Sequence, residues 1–106
     1  MKLRLLAAIP IVLFTLDAVA QGPAVSSLAP RVKTAMDAVK ERGKRCPGTE
    51  AGKEAERLAS YGSSVHGTLK QDNNADPAIY RATTIYVEKY EDEVRNFMED
   101  AKRKCP

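Results

Sequence analysis

From Ile79 to Cys105 the chain returns to one face at steps of 4, 3, 4, 4, 3, 4 and 4 residues, through Thr83, Tyr86, Tyr90, Val94, Phe97 and Ala101. Those steps match the helical period, and Val87 and Met98 widen the stripe. Asp76 is a good N-cap and Pro77 suits the first helical position, so a helix is expected to start there and run to the cysteine. At 1.5 Å per residue it would be about 42 Å long, the longest wall of any small fold built around it. The stripe needs something to pack on. Its closing cysteine has one partner available in the chain, Cys46.

The front of the sequence carries an address. Lys2 and Arg4 form a short positive region, Leu5 to Leu16 is an apolar run of 12 residues, and Ala18, Val19 and Ala20 provide a small-residue cleavage site. A membrane-spanning helix needs about 20 apolar residues, and Asp17 interrupts this run, so residues 1–20 are expected to be a cleavable signal peptide rather than an anchor. There is no paired arginine and no cysteine near the cut for lipid attachment, which favours a plain Sec-type signal. The expected destination is a periplasm or the extracellular space.

Cleavage would leave 86 residues, Gln21 to Pro106, with 15 basic and 13 acidic side chains and a net charge of +2. That is one small domain, and so mild an excess of cations gives no case for a nucleic-acid partner. Two cysteines in an exported chain of this size are expected to pair, since the compartment is oxidising and a small core is marginal alone. The loop they close is long, and the chain-entropy estimate for it is up to roughly 4 kcal/mol.

Gly22 and Pro23 block regular structure, so residues 21–26 are expected to form a flexible leader and residues 27–106 the folded domain. Ser27 can cap a first helix, with Pro30 in its first turn. Leu28, Val32, Ala35, Met36 and Val39 share one face, and Gly43 is the expected stop. Thr49 is placed to cap a second helix with a thinner stripe: Ala51, Ala55, Leu58, Gly62, Val65 and Leu69. Its glycines and serines lower helix propensity, so a kink or break is expected between Tyr61 and Gly67. Small residues at 52, 55, 59 and 62 would also let a neighbouring helix come close. Asp72, Asn73 and Asn74 mark a turn before the third helix.

Three helices with short connections should run up, down and up, which brings the ends of the first and third to one pole. Cys46 and Cys105 lie at those two ends. The expected fold is therefore all-α, an up-down-up three-helix bundle closed by a Cys46–Cys105 disulfide. A swapped dimer, with the bond made between two chains, is the competing arrangement.

The same topology would gather seven cations: Lys40, Arg42, Lys44 and Arg45 around Cys46, and Lys102, Arg103 and Lys104 before Cys105. They form a candidate anion-binding pole for a phospholipid surface, an anionic glycan or an acidic protein patch. Two helix C-termini meeting there would favour nearby cations in any case. With Ile79 at zero, the main stripe of the third helix centres at roughly 40° and Ile85 falls at roughly 240°. Ile85 is thus a candidate partner-facing residue, unless the leader folds back over it. The acidic run from Glu88 to Asp100 reads as a solvated face, with Glu88 spaced to reach Arg95 and Glu99 to reach Arg103.

Groups for chemistry are few. His66 is the only histidine, and with both cysteines expected to pair, no zinc site is expected around it. Ser63 stands one turn before His66, but no glycine-rich nucleophile elbow surrounds it. Met36 and Met98, the other conventional haem ligands besides tyrosine and cysteine, both sit on core-facing stripes, and no C-x-x-C-H sequence exists. Tyr61, Tyr80, Tyr86 and Tyr90 suit a bundle rim, or a ligand groove if the second helix leans away. No catalytic role, no cofactor and no metal is expected. What remains is a small exported protein-binding module of an inhibitor, immunity or accessory type, with binding to a membrane surface or polyanion through the basic pole as the alternative.

Overall fold

The computed structural model describes residues 22–105, and its regular elements are all helical. A 3-10 turn, Val25–Leu28, leads into α1, Ala29–Lys44; α2 is Glu50–Leu69 and α3 is Pro77–Lys104. The expected signal peptide lies outside the described residues.

The caps at the second and third helix starts form as the sequence suggests. The Thr49 hydroxyl accepts from the Gly52 amide at 3.0 Å and donates to the Cys46 carbonyl at 2.7 Å, tying the start of α2 to the connection before it. Before α3 the turn residues form a relay. Asp72 Oδ1 accepts from the Asn74 amide, Asn74 Oδ1 from Asp76, and Asp76 Oδ1 from Ala78, at 2.9, 2.9 and 2.8 Å. Local side chains thus satisfy amides that would otherwise be orphaned.

Contacts between helices fix their directions. Gly43 lies against Ala55 and Met36 against Gly62, so α1 and α2 are antiparallel. Tyr90 reaches Leu58 and Tyr86 reaches Tyr61, so α2 and α3 are antiparallel too. Arg31 meets Glu91, and Cys46 and Cys105 stand at disulfide-bonding distance with Cα atoms 5.8 Å apart, so α1 and α3 run the same way. That separation suits a cystine within one chain. Val25, Leu28, Val32, Met36 and Val39 from the first arm, Ala55, Leu58 and Leu69 from α2, and Val87, Tyr90, Val94, Phe97 and Ala101 from α3 form one core.

Four local expectations are corrected. Val25 and Ser26, assigned to the loose leader, are stitched to the α2–α3 connection: their amides donate to the carbonyls of Asn74 and Asp72 at 2.8 and 2.9 Å. Val25 is only 1% exposed, so an apolar anchor outweighs the preceding Gly-Pro pair. Ser27 does not cap α1; its hydroxyl donates back to the Ala24 carbonyl, and Leu28 occupies the N-cap position. Gly43 does not end α1, which continues to Lys44; a Cβ there would sit 2.7 Å from that of Ala55, so glycine is needed for close approach. Finally, α2 runs unbroken through Tyr61 to Gly67. Its buried face on α1 outweighs poor intrinsic propensity.

Candidate functional site

Periodicity identifies the face of α3 that seeks burial, but the neighbouring helices cover only part of it. From Val87 to Ala101 the stripe is buried, whereas Ile79 is 42% exposed and Tyr86 is 47% exposed. The opening lies between the C-terminal half of α2 and the N-terminal half of α3. Tyr61, Val65 and Leu69 on one side and Tyr86 on the other line a groove of about 300 Å³, with Ser64 and Thr68 at its edge. Tyr61 is itself 41% exposed, its ring centroid 6.4 Å from that of Tyr86 and 5.7 Å from that of Tyr90. The hydroxyls of Tyr61 and Tyr86 are in contact, while the Tyr90 hydroxyl donates to the buried Leu58 carbonyl at 2.8 Å.

Ile85 is 63% exposed, and the leader does not cover it, because Val25 is buried and tied to the α2–α3 connection. Nor is it isolated. Going round α3 from roughly 240° to 360°, the exposed residues Ala78, Ala82, Ile85, Tyr86 and Ile79 make a continuous apolar band. That band runs into the aromatic groove. Spacing within one helix revealed Ile85; exposure of Ile79 and Tyr86 depends on where α2 ends up, which one helix's pattern does not encode.

The seven cations lie near the ends of α1 and α3, which the Cys46–Cys105 pair brings together, and Lys40, Lys44 and Arg103 line different grooves, a collar rather than one patch. Lys40 and Lys44 line a groove between α1 and α2, and Arg103 lines another between α2 and α3 beside Glu54, Glu93 and Asp100. Lys44 pairs with Glu41 at 3.2 Å, and Arg103 and Lys104 pair with Asp100 at 3.3 and 3.2 Å. Lys40, Arg42, Arg45 and Lys102 have no ion pair among the described residues, and the Nε of Arg42 is buried without a hydrogen-bond partner. The acidic face of α3 pairs differently from its expected spacing: Arg95 takes Asp92 and Arg103 takes Asp100, each one turn away. The longest-range pair, Arg31 with Glu91 at 2.5 Å, joins α1 to α3 and leaves no trace in local spacing. The Glu91 hydrogen bond raises the Arg31 pKa above its ordinary value.

Ser63 and His66 share α2 without a hydrogen bond between their side chains among the described residues. No group of three or more His, Cys, Asp or Glu placed to hold a metal occurs among the described residues. Met36 is buried in the core and Met98 packs against it. No helix among the described residues is long and apolar enough to cross a membrane. Comparisons with protein-family models, curated proteins and solved structures find no match.

Proposed function

We propose that this chain is a small exported protein-binding module, of an inhibitor, immunity or accessory type, with no catalytic role. Its docking face is the band of Ile79, Ala82, Ile85 and Tyr86 with Tyr61 beside it. The observation that supports this reading is the uncovered N-terminal half of α3: Ile79 and Tyr86 on the stripe, Ile85 on the face beside it and a tyrosine groove stand open on a domain with little core to spare. Contiguous exposed apolar surface of this kind is costly in water unless something covers it. Export fits the signal-like residues 1–20, and a cystine fits a non-reducing compartment.

The test is association by the purified mature protein with a defined component of its own exported proteome. Ile85→Asp should leave the fold intact and weaken that association by about a hundredfold, with little dependence on salt. Association unchanged by Ile85→Asp would sink the proposal, as would substrate turnover that disappears in His66→Ala.

A second reading is favoured by the cations left without ion pairs at the disulfide end. In that reading the collar binds an anionic membrane surface or polyanion. Binding to phosphatidylglycerol vesicles that vanishes at high salt, and that weakens in Lys102→Ala with Arg103→Ala, would favour it over the apolar face.

A further inference from the structure

On the side of α1 and α2 away from the tyrosine groove lies the largest concavity among those described, about 590 Å³. Its floor is Gly43, Gly52, Ala55 and Ala59, where no side chain is larger than a methyl group. Glycine is needed at two of these places: a Cβ on Gly43 would press on Ala55, and one on Gly52 would overlap the Cys46 carbonyl. The walls have a different chemistry. Lys40 and Lys44 stand on α1 and Lys53 on α2, with Glu56 as the single carboxylate in the lining. Lys40 and Lys53 have no ion pair among the described residues. An apolar trough between ammonium groups on both sides is complementary to an occupant that is apolar along one line and negative on both flanks.

We propose that this groove seats an acidic amphipathic helix of a protein partner, packed as a fourth helix against α1 and α2 with its carboxylates on Lys40, Lys44 and Lys53. Shape and length favour a helix over a single-chain lipid. From Gly52 to Ala59 the floor extends about 10 Å, or two helical turns, which matches apolar contacts at i, i+3 or i+4, and i+7. Ala55 and Ala59 on the floor are buried, and Gly43 and Gly52 back onto their own neighbours, which leaves the trough shallow and flat. A helix brings acids to both walls, whereas a fatty acid has one carboxylate for three ammonium groups. The site is separate from the Ile85 face, so either can fail without the other.

The probe is a synthetic helical peptide with leucines at that spacing and glutamates on both flanks, compared with a twin carrying lysines in place of the glutamates. Fluorescence anisotropy of the labelled peptides, titrated with the whole mature protein, should show saturable binding of the acidic peptide only. The double variant Lys40→Glu, Lys53→Glu should weaken the acidic peptide by more than about tenfold and take up the basic twin instead. Glu56→Lys should tighten the acidic peptide, and Ile85→Asp should leave it unchanged. No saturation, or saturation indifferent to the charge-reversed walls, would overturn the proposal. So would dodecanoate binding in place of the peptide, or a dimer of the protein alone that Lys40→Glu disperses, since each assigns the groove another occupant.

Discussion

The two seams made by α2 differ in kind. Toward α1 it presents Ala55, which meets Gly43, and Gly62, which meets Met36, while Gly52 backs onto the Cys46 carbonyl just past α1. Toward α3 it presents Leu58 and Gly62, which receive the buried Tyr90, but further along Tyr61 and Val65 meet only the exposed ring of Tyr86, and the seam stands open at the N-terminal end of α3. Small residues make a closed seam; aromatic ones leave an open one. As a result α3 is fastened mainly through α1 and the Cys46–Cys105 pair, and its N-terminal half retains exposed apolar surface.

If that contrast holds, the largest loss should come from removing the fastening. Replacing Cys46 and Cys105 by serine is expected to cost up to about 4 kcal/mol in urea unfolding, and hydrogen exchange should show α3 losing protection before α1 and α2. Simultaneous loss from all three helices would mean that the open seam carries more than its contacts indicate.

Gly62→Ala is expected to come next, at about 1–3 kcal/mol, because a Cβ there would overlap the Tyr90 hydroxyl and press on Met36. Tyr90→Phe should cost about 1 kcal/mol by removing the bond to the Leu58 carbonyl. Combining the two should cost less than their sum, since the phenylalanine relieves part of the overlap; simple additivity would place Gly62 and Tyr90 out of contact. Burial, assisted by the charge of Glu93, raises the Tyr90 phenol above its ordinary value of 10.0. Its proton is therefore held more tightly in the folded chain. The associated stability is complete below about pH 10 and is lost as pH rises through the folded value. Unfolding followed across that range should show the loss in the native sequence and not in Tyr90→Phe.

The smallest effect on stability belongs to the open seam. Ile85→Asp changes an exposed side chain, and its melting curve is expected to stay within about 0.5 kcal/mol of the parent while partner binding falls.

How far the sequence could be read follows from the range of each signal. The caps at Thr49 and Asp76 and the stripe of α3 are local patterns, and each appears where the residues put it. The Cys46–Cys105 encounter follows from helix count and short connections. The readings of Gly43, Val25 and α2 went astray where tertiary contact reassigns a residue's job. Gly43 looks like a helix stop but serves close packing, Val25 follows a loop signal but anchors the core, and Gly52 and Gly62 lower the propensity of α2 while making room for the Cys46 carbonyl and the Tyr90 hydroxyl. Ile79 and Tyr86 teach the complementary point: a helical period tells which face seeks cover, and only the position of the next helix tells whether it gets any.

The claim that α3 leaves its N-terminal half open for a partner is tested most directly by photo-crosslinking during export from the native cell. A photoreactive side chain would be placed at Ile85 or Tyr86, with exposed Arg95, off the apolar band and further along the same helix, as the control. One adduct of a single mass is expected from positions 85 and 86 and none from 95; no adduct from either, or equal labelling from all three, would contradict the claim.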